Sequence, residues 1–294
     1  MATMRLDKLY DLKGRIALVT GGGTGIGWMI ARGLAVNGAK VYITGRRMDV
    51  LEKAAQSFAQ EGTVIPLEMD VTNKDSILSV QSEIERKDGK LHILVNNAGI
   101  SGPVSRFFND TSAPEHKDAG TLGRALFDDQ SFEDWSELYS TNTFSIFFVT
   151  TAFVGLLTKG SQEIPNYTSS VINITSISAI MKLAQNHFAY NSAKAAASHL
   201  TRLLSTEFAL KKVPVRVNAI APGVYATEMT ADRIAAHGID QVGLGLQPVP
   251  AQRAGSDEEM AGTAIYLASP AGCYTNGQEI VIDGGYLAVN PSRA

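Results

Sequence analysis

Cysteine is nearly absent from this 294-residue sequence, which contains Cys273 alone. A single cysteine excludes an internal disulfide and is typical of proteins that work in a reducing compartment. The first fifteen residues mix acidic and basic side chains and contain no apolar core, so we expect no secretory signal. Together these features predict a cytoplasmic protein.

The sequence also lacks an excess of one charge and a long hydrophobic run. Its formal net charge is −3, which gives no broad attraction to nucleic acid or to an anionic membrane. The longest apolar stretch, residues 144–157, is interrupted by hydroxyl side chains and is too short to cross a bilayer. We therefore expect neither nucleic acid nor a membrane among the partners.

No group of side chains has the spacing of a metal site. His187 and His199 lie twelve residues apart without a carboxylate at ligand spacing, and His92, His116 and His237 are scattered. We expect structural or surface roles for these histidines and no bound metal.

No linker, repeat or low-complexity tract divides the chain. Strand-like and helix-like patterns alternate to its end, which favours one doubly wound parallel sheet with helices on both faces. The sequence thus predicts a single α/β domain over residues 1–294, with about seven strands in a Rossmann-like arrangement.

The amino-terminal part of the chain has the pattern of a dinucleotide site. Residues 15–20 are a short apolar run typical of a buried strand, the glycine loop Thr20-Gly21-x-x-x-Gly25-Ile26-Gly27 follows, and residues 28–36 have a helical pattern. Such a loop lets the backbone approach a pyrophosphate, and the helix N-terminus supplies unpaired N–H groups. The alternative, a flexible glycine turn, is disfavoured by the flanking strand and helix.

A second pattern is the pair Tyr190 and Lys194, four residues apart in a predicted helix over residues 188–210. Residues at this spacing share one helix face. A free tyrosine has a pKa of about 10, and a cation close to the phenol lowers it. The spacing therefore predicts a tyrosine suited to general acid/base catalysis, although a chance pair on an exposed helix face has the same pattern.

The motifs, taken in order, resemble the short-chain dehydrogenase/reductase family over residues 12–286. They are the glycine loop, Asn96-Asn97-Ala98-Gly99, Ser176, Tyr190-x-x-x-Lys194, Pro222-Gly223 and Asn276-Gly277…Asp283-Gly284-Gly285. The resemblance implies a Rossmann-like fold, a nicotinamide cofactor and hydride transfer between that cofactor and a carbonyl or alcohol.

The resemblance implies a catalytic role for Asn142, Ser176, Tyr190 and Lys194. Tyr190 would exchange a proton with the substrate oxygen, Ser176 would donate a hydrogen bond to it, and Lys194 would lower the Tyr190 pKa and hold the nicotinamide ribose. Asn142 would hold a water connected to Lys194; an asparagine within a predicted helix, residues 133–157, is locally unfavourable. The separation of Ser176 from Tyr190 is one residue longer than usual in the family, and Ser178 would be one too short.

The resemblance also implies a set of cofactor contacts. These residues are Gly21, Gly23, Thr24, Gly25, Ile26, Gly27, Asp70, Val71, Asn97, Ala98, Gly99, Tyr190, Lys194, Pro222, Gly223, Val224 and Thr227. Three of them have a structural alternative: Asp70 as a turn residue, Asn97 as a support of the sheet, and Thr227 as the cap of the next helix.

The second predicted strand, residues 40–44, indicates which cofactor is bound. In the dinucleotide fold an acidic residue near its end binds the adenosine ribose, but here that place falls on Gly45, and Arg46 and Arg47 follow. A carboxylate would repel a 2′-phosphate, whereas arginine binds one with paired hydrogen bonds. This favours NADP(H) over NAD(H); the alternative for the arginines is a solvated helix start.

Two segments are predicted to shape the substrate pocket. Residues 101–131 form an inserted loop, which is a pocket wall, a surface elaboration or a subunit contact, because long loops in compact domains are usually functional or disordered. Residues 225–250 are an apolar candidate lid with Gly243 and Gly245 as possible hinges.

We therefore expect an NADP(H)-dependent reductase of a small-molecule carbonyl, or the reverse dehydrogenase. A non-redox dehydratase, isomerase or cyclase on the same residues, and a non-catalytic NADP(H)-binding protein, are the alternatives. The resemblance implies a homodimer or homotetramer built on the helices that carry Asn142 and Tyr190.

Overall fold

The computed structural model describes residues 4–60, 62–228 and 230–292. Within these residues seven parallel strands form one sheet in the order β3-β2-β1-β4-β5-β6-β7. The strands are β1 Ile16–Thr20, β2 Lys40–Gly45, β3 Thr63–Glu68, β4 Ile93–Asn96, β5 Ser169–Ile174, β6 Val215–Pro222 and β7 Glu279–Ile282. The predicted doubly wound parallel sheet is confirmed, and the strand order reverses between β1 and β4, where ligands bind in such folds.

Helices cover both faces of the sheet. They are α1 Leu6–Leu9, α2 Gly25–Val36, α3 Met48–Ser57, α4 Lys74–Asp88, α5 Ala119–Asp129, α6 Phe132–Tyr139, α7 Ser145–Glu163, α8 Phe188–Leu210, α9 Ala231–Gly243, α10 Asp257–Ala268 and α11 Tyr286–Val289. One apolar core joins the sheet to α2, α3 and α10, and a second joins it to α4, α7 and α8. Because both faces are covered, β1, β4, β5 and β6 are buried along their whole length.

A chain of buried side-chain amides fixes α8 against the sheet. Asn96 in β4 donates to Asn173 in β5 at 2.8 Å and to Thr150 in α7 at 3.0 Å. Asn173 in turn donates to Thr201 in α8 at 2.9 Å. These bonds satisfy polar groups that would be costly to bury alone, and they set the position of the helix that carries Tyr190 and Lys194.

The segment predicted as an inserted loop, residues 101–131, contains regular structure. A single 3₁₀ turn, Pro114–His116, precedes α5, which Asp118 caps by accepting the Thr121 N–H at 2.8 Å. The prediction of a loop was therefore wrong for α5. None of the α5 side chains is buried, so α5 is a surface helix of the inserted segment.

The predicted lid contains α9, and the irregular point in it differs from the predicted hinges. Gly238 has φ 77° and ψ 169°, which interrupts the helix. Gly243 and Gly245 are instead packed: a Cβ at Gly245 would lie 2.6 Å from the Tyr286 hydroxyl, and the Gly243 carbonyl accepts from Tyr286 at 2.8 Å. Close packing rather than bending accounts for these two glycines.

The helical run Phe132–Glu163, made of α6, a π-helical turn at Ser140–Phe144 and α7, is longer than the predicted apolar stretch. By length and composition it could cross a bilayer, but half of its most apolar window is buried inside the protein. The core helix of a folded domain has the same character.

The opposite end of the sheet contains a buried histidine, His92, at the start of β4. Its Nδ1 accepts the Ile16 N–H at 3.0 Å, so the ring proton is on Nε2, which donates to Glu163 at 3.0 Å. Burial lowers the pKa of His92. Protonation of Nδ1 would remove the acceptor for the Ile16 N–H.

We expect the His92→Gln variant to lose part of the pH dependence of stability. An unfolded histidine has a pKa of about 6.5, and the folded value is lower, so this contribution to stability is complete above the unfolded pKa and is lost as the pH falls through the folded pKa. Urea unfolding between about pH 7.5 and about pH 5 should show the free-energy gap between the two proteins narrowing at the acidic end. A gap that is constant with pH would contradict this role.

Candidate active site

The loop between β1 and α2 forms the first wall of a deep cleft at the carboxyl edge of the sheet. Gly21 and Gly25 have φ values of 61° and 51°, which L side chains rarely adopt. A Cβ at Gly27 would lie 2.2 Å from the Gly21 carbonyl oxygen, so glycine is required for α2 to begin this close to the loop. Thr24 is the N-cap of α2, yet its side chain makes no capping bond. A helix terminus of this kind can bind an anionic group.

Asn97, just after β4, holds this loop in place. Its side-chain amide donates to the carbonyl oxygens of Thr20 and Gly21 at 2.9 and 3.0 Å, and its backbone N–H donates to the Thr20 hydroxyl at 3.0 Å. These bonds agree with the structural interpretation of Asn97. Because it also lines the cleft with Ala98 and Gly99, contact with a bound group is compatible with this support.

The end of β2 forms a cationic wall of the same cleft. Gly45 lies at the strand end, and Arg46 and Arg47 both line the cleft. Arg47 is the N-cap of α3, and its Nη2 donates to Glu228 at 3.0 Å. A carboxylate is thus missing where the dinucleotide fold usually has one, and guanidinium groups stand beside that place.

Asp70, after β3, lies in a turn that faces the cleft. Its Oδ1 accepts from the Thr72 N–H and hydroxyl at 2.9 and 2.7 Å. These hydrogen bonds lower the pKa of Asp70, and the charge of Arg46 adds to the effect. Asn73, rather than Asp70, caps α4, while Asp70 and Val71 both line the cleft.

The catalytic candidates meet where β5 and α8 approach each other. Ser176 follows β5 and is hydrogen-bonded to the Tyr190 phenol. The Lys194 Nζ lies 5.7 Å from the centre of the Tyr190 ring and donates to the Ile174 carbonyl at 2.8 Å. Ser176 lines the cleft, whereas Ser178 does not; the Ser178 N–H donates to the Ser176 hydroxyl at 3.1 Å. The geometry thus agrees with the choice of Ser176.

Burial controls the protonation of Tyr190 and Lys194. Burial raises the pKa of Tyr190, and its hydrogen bond with Ser176 opposes this only in part. Burial lowers the pKa of Lys194 to about 8. The expectation that Lys194 lowers the Tyr190 pKa is therefore corrected for this structure: loss of hydration raises the Tyr190 pKa, and the Lys194 ammonium is directed to the Ile174 carbonyl. At neutral pH the Tyr190 phenol retains its proton.

Asn142 lies in the π-helical turn between α6 and α7 and is 1% exposed. Its side chain accepts the Ile100 N–H at 2.9 Å and donates to the Ile100 carbonyl at 2.8 Å. It therefore fixes the chain segment that follows β4 and does not itself line the cleft. Irregular π turns of this kind frequently occur at functional sites.

The cleft has a volume of about 740 Å³, which is within the range of small-molecule sites. The predicted residues that line it are Gly21, Gly23, Thr24, Gly25, Ile26, Arg46, Arg47, Asp70, Val71, Asn97, Ala98, Gly99, Ser176, Tyr190, Lys194, Pro222, Gly223 and Thr227. Gly27, Asn142 and Val224 lie behind its wall, and the Val224 carbonyl accepts the Gly255 N–H at 3.0 Å.

Thr227 does not cap the helix that follows it. The N-cap of α9 is Thr230, and the two hydroxyl oxygens of Thr227 and Thr230 lie 3.1 Å apart. The Thr227 side chain packs against Gly25, where an added Cβ would approach it to 3.2 Å. Thr227 thus closes the cleft opposite the glycine loop. The predicted cap would have preceded Met229, which lies outside the described residues.

The sequence did not predict the part of Glu228 in this cleft. One oxygen of its carboxylate accepts from the Thr24 hydroxyl and from Arg47, each at 3.0 Å. Arg47 precedes Glu228 by 181 residues, so no local pattern relates them. Glu137, Ser140 and Thr141, on the run from α6 into the π turn, also line the cleft without a sequence signal.

Over the described part of the chain, which leaves out the side chain of His237, no group of three or more His, Cys, Asp or Glu residues is placed to hold a metal ion.

Comparison with known proteins agrees with the geometry. The family model described as enoyl-(acyl carrier protein) reductase matches residues 21–287. The short-chain dehydrogenase/reductase PhomF of Diaporthe leptostromiformis is 38% identical over 288 residues, which cover 97% of this chain and 95% of that protein. The Pseudomonas aeruginosa RhlG/NADP active-site complex has a TM-score of 0.79 and 32% identity, and the match covers 95% of this chain and 98% of RhlG.

A further solved structure, 7α-hydroxysteroid dehydrogenase complexed with NADH and 7-oxo glycochenodeoxycholic acid, has a TM-score of 0.77 and 29% identity, over 96% of this chain and 98% of that one. The two complexes contain different nicotinamide cofactors, so the likeness in fold leaves the cofactor phosphate undecided. The matches extend over nearly the whole chain and include the glycine loop, the Tyr190–Lys194 helix and the carboxyl-terminal motif. The chain therefore belongs to the short-chain dehydrogenase/reductase family, a family of oxidoreductases that bind nicotinamide cofactors and act on small molecules.

Proposed function

We propose that this protein is an NADP(H)-dependent oxidoreductase that reduces a ketone to a secondary alcohol, or catalyses the reverse reaction. The observation that carries the proposal is the position of the Tyr190 phenol, beside Ser176 and Lys194 and in the same cleft as the glycine loop. A proton donor beside a dinucleotide site is what carbonyl reduction requires.

The residues of the cleft fit a nicotinamide dinucleotide. The uncapped N-terminus of α2 and the Gly21–Thr24 backbone would hold the pyrophosphate, Asp70 and Val71 the adenine edge, and Asn97, Ala98 and Gly99 the middle of the molecule. Lys194 would hold the nicotinamide ribose. Pro222, Gly223, the Val224 backbone and Thr227 would orient the nicotinamide amide. When bound, the cofactor supplies or accepts the hydride.

The protein's own contribution is to control the proton and the substrate oxygen. Tyr190 donates its phenol proton to the carbonyl oxygen as negative charge develops there, while the Ser176 hydroxyl donates a hydrogen bond to the same atom. The Lys194 ammonium stabilises the phenolate that is left behind. Asn142 acts indirectly, because it fixes Ile100 and the wall of the cleft next to the reacting groups. The resemblance to the family implies that it also holds a water connected to Lys194.

Two observations support NADP(H) over NAD(H). Arg46 and Arg47 both face the cleft at the end of β2, and the residue before them, Gly45, has no side chain that would repel a phosphate. Arginine binds phosphate through charge-assisted, often paired hydrogen bonds. We therefore assign the 2′-phosphate to the space beside Gly45.

The inserted segment contacts the start of α8, and Thr227 and Thr230 of the lid segment line the cleft. Phe108 of the insertion packs edge-on against Phe188, with ring centres 4.9 Å apart, two residues before Tyr190. The Ser105 N–H donates to the Asn186 carbonyl at 3.0 Å. Within this proposal residues 101–131 form one pocket wall and residues 225–250 the lid. A 3-oxoacyl thioester, a polyketide-like ketone, a sugar-derived ketone and a xenobiotic carbonyl are all candidate substrates.

Two other functions use the same residues. A dehydratase, isomerase or cyclase would use Tyr190 as an acid/base without redox change, and a binding protein would use the cleft without turnover. A panel of ketones, followed by NADPH absorbance and by product analysis, separates these functions. Product without NADPH consumption would favour the first, and tight cofactor binding without product the second.

We also propose that the protein works in the cytoplasm as a homodimer or homotetramer. A groove between α7 and α8 is lined by the aromatic side chains Phe144, Phe147 and Phe148 and by Leu203, which are between 38% and 49% exposed. Apolar patches of this kind mark protein interfaces. A second copy fits because the groove continues the face of the helices that carry Asn142 and Tyr190, which the family resemblance assigns to subunit contacts.

Tyr190→Phe is expected to reduce kcat by a factor of about 1,000 or more, because it removes the proton donor and one hydrogen bond to the developing oxyanion. The Kd for NADPH should stay within about twofold, since the ring remains in place. Steady-state kinetics and calorimetric titration measure the two effects. Tyr274→Phe, at a fully exposed tyrosine, is the control; turnover retained within a few-fold in Tyr190→Phe would remove the phenol from the mechanism.

Gly45→Asp is expected to lower the ratio of kcat/KM for NADPH to that for NADH by roughly tenfold to a hundredfold, because a carboxylate there repels the 2′-phosphate and accepts from ribose hydroxyls. The side chain has room: a Cβ would meet only Leu51, at 3.8 Å. Gly45→Asn adds the same bulk without charge and serves as the control. An unchanged ratio in Gly45→Asp would contradict the assignment of a 2′-phosphate to the space beside Gly45.

Phe147→Asp is expected to lower the mass measured by light scattering from that of a dimer or tetramer towards that of a smaller species, because it places a charge in the apolar groove. Phe127→Asp, on the exposed face of α5, is the matched control and should keep the original mass. A monomeric unsubstituted protein at micromolar concentration would contradict the proposed assembly.

A further inference from the structure

A single carboxylate oxygen of Glu228 joins two separate walls of the cleft. It accepts from the hydroxyl of Thr24, the N-cap of α2, and from Nη2 of Arg47, the N-cap of α3, at 3.0 Å each. Thr24 belongs to the wall assigned to the pyrophosphate, and Arg47 to the wall assigned to the 2′-phosphate. The Glu228 carboxylate thus accepts hydrogen bonds from both of the walls that are assigned to cofactor phosphates.

Glu228 and a cofactor phosphate cannot both accept the Thr24 hydroxyl proton, and they would share the charge of Arg47. The Thr24 hydroxyl has one proton and can donate to only one acceptor at a time. A carboxylate retained beside a phosphate would also place like charges a few ångströms apart, which is unfavourable. Cofactor binding therefore has to displace Glu228 or bear the repulsion.

The Glu228 side chain is exposed enough to leave its donors by rotating about its own bonds. Gly238 interrupts α9 with φ 77° and ψ 169°, and a Cβ there would have no neighbour within 4 Å. Beyond it, the Asp240 carboxylate accepts the Val249 N–H at 2.8 Å, and Asn290 accepts the N–H groups of Leu246 and Gln247 at 2.7 and 3.0 Å. The residues after Gly238 are thus tied to the body of the protein. The backbone at Glu228 is also held, because Thr227 packs against Gly25 and the Thr230 hydroxyl donates to the Tyr225 carbonyl.

We propose that Glu228 determines cofactor selectivity: its carboxylate competes with the 2′-phosphate of NADP(H) for Arg47 and so narrows the preference for NADP(H) over NAD(H). This inference rests on the proposed function, in which Arg47 binds the 2′-phosphate. Glu228 acts on the phosphate-bearing cofactor through Arg47 and on both cofactors through Thr24. Its removal should therefore favour NADPH more than NADH.

The size of the effect follows from the exposure of the pair. The side chains of Arg47 and Glu228 are 61% and 56% exposed, and exposed ion pairs contribute modestly. We expect Glu228→Gln to lower the Kd for NADPH about two- to fivefold and the Kd for NADH by less than about 1.5-fold.

The test is a double-mutant cycle read by calorimetric titration of NADPH and NADH against the unsubstituted protein, Glu228→Gln, Arg47→Ala and the double variant. In the Arg47→Ala background, Glu228→Gln should improve the binding of NADPH relative to NADH by less than it does in the unsubstituted protein, because the residue for which the two acids compete is gone. Glu207→Gln, which removes the same charge from an exposed pair with Lys211 outside the cleft, is the control. Thermal unfolding confirms that each variant is folded.

The outcomes separate this inference from the function on which it rests. Suppose that Arg47→Ala weakens the binding of NADPH more than that of NADH, but that Glu228→Gln leaves NADPH binding unchanged or weakens it. Glu228 is then not a competitor and the inference fails, while the proposed role of Arg47 stands. If Arg47→Ala weakens the binding of both cofactors equally, Arg47 does not bind the 2′-phosphate. The proposed role of Arg47 and the proposed competition by Glu228 then both fail.

Discussion

The contact between the Asn97 side chain and the glycine loop connects the two halves of the cleft. By donating to the carbonyl oxygens of Thr20 and Gly21, this one amide fixes the end of β4 against the end of β1, where the strand order of the sheet reverses. The loop can approach so closely because position 27 is glycine. The buried Asn96–Asn173–Thr201 hydrogen bonds then fix β5 and α8 relative to β4. As a result, Ser176, Tyr190 and Lys194 lie at the same edge of the sheet.

Desolvation, rather than the attraction of a neighbouring charge, governs the chemical groups at this edge. Burial raises the pKa of Tyr190 and lowers that of Lys194 to about 8, so each group is shifted towards its neutral form. A phenol that keeps its proton at neutral pH is ready to act as an acid, which is the role that reduction of a carbonyl needs. The hydrogen bond with Ser176 opposes the shift in Tyr190 and holds the phenol at the place where a substrate oxygen would receive its proton.

Charge at the other end of the cleft is more evenly balanced than the two consecutive arginines suggest. Arg47 already forms an ion pair with Glu228, and the charge of Arg46 helps to lower the pKa of Asp70. The cationic wall that would attract a phosphate is therefore partly neutralised by acids from the turn after β3 and from the segment after β6. In the proposed function, cofactor choice reflects this competition as well as the missing carboxylate at Gly45.

The sequence by itself determined the order of strands and helices, the family, and most of the residues that line the cleft. These features are local: apolar runs, glycine spacing and the four-residue separation of Tyr190 and Lys194 can be identified along a short stretch, and α8 begins and ends at the predicted residues. Only the tertiary structure decided the helix within residues 101–131, the break at Gly238, the bonding of Asn142 to Ile100, the raised pKa of Tyr190 and the contact of Glu228 with Arg47. The physical reason is that burial and long-range contacts depend on how all the elements pack, and residues 181 apart have no shared pattern in the chain.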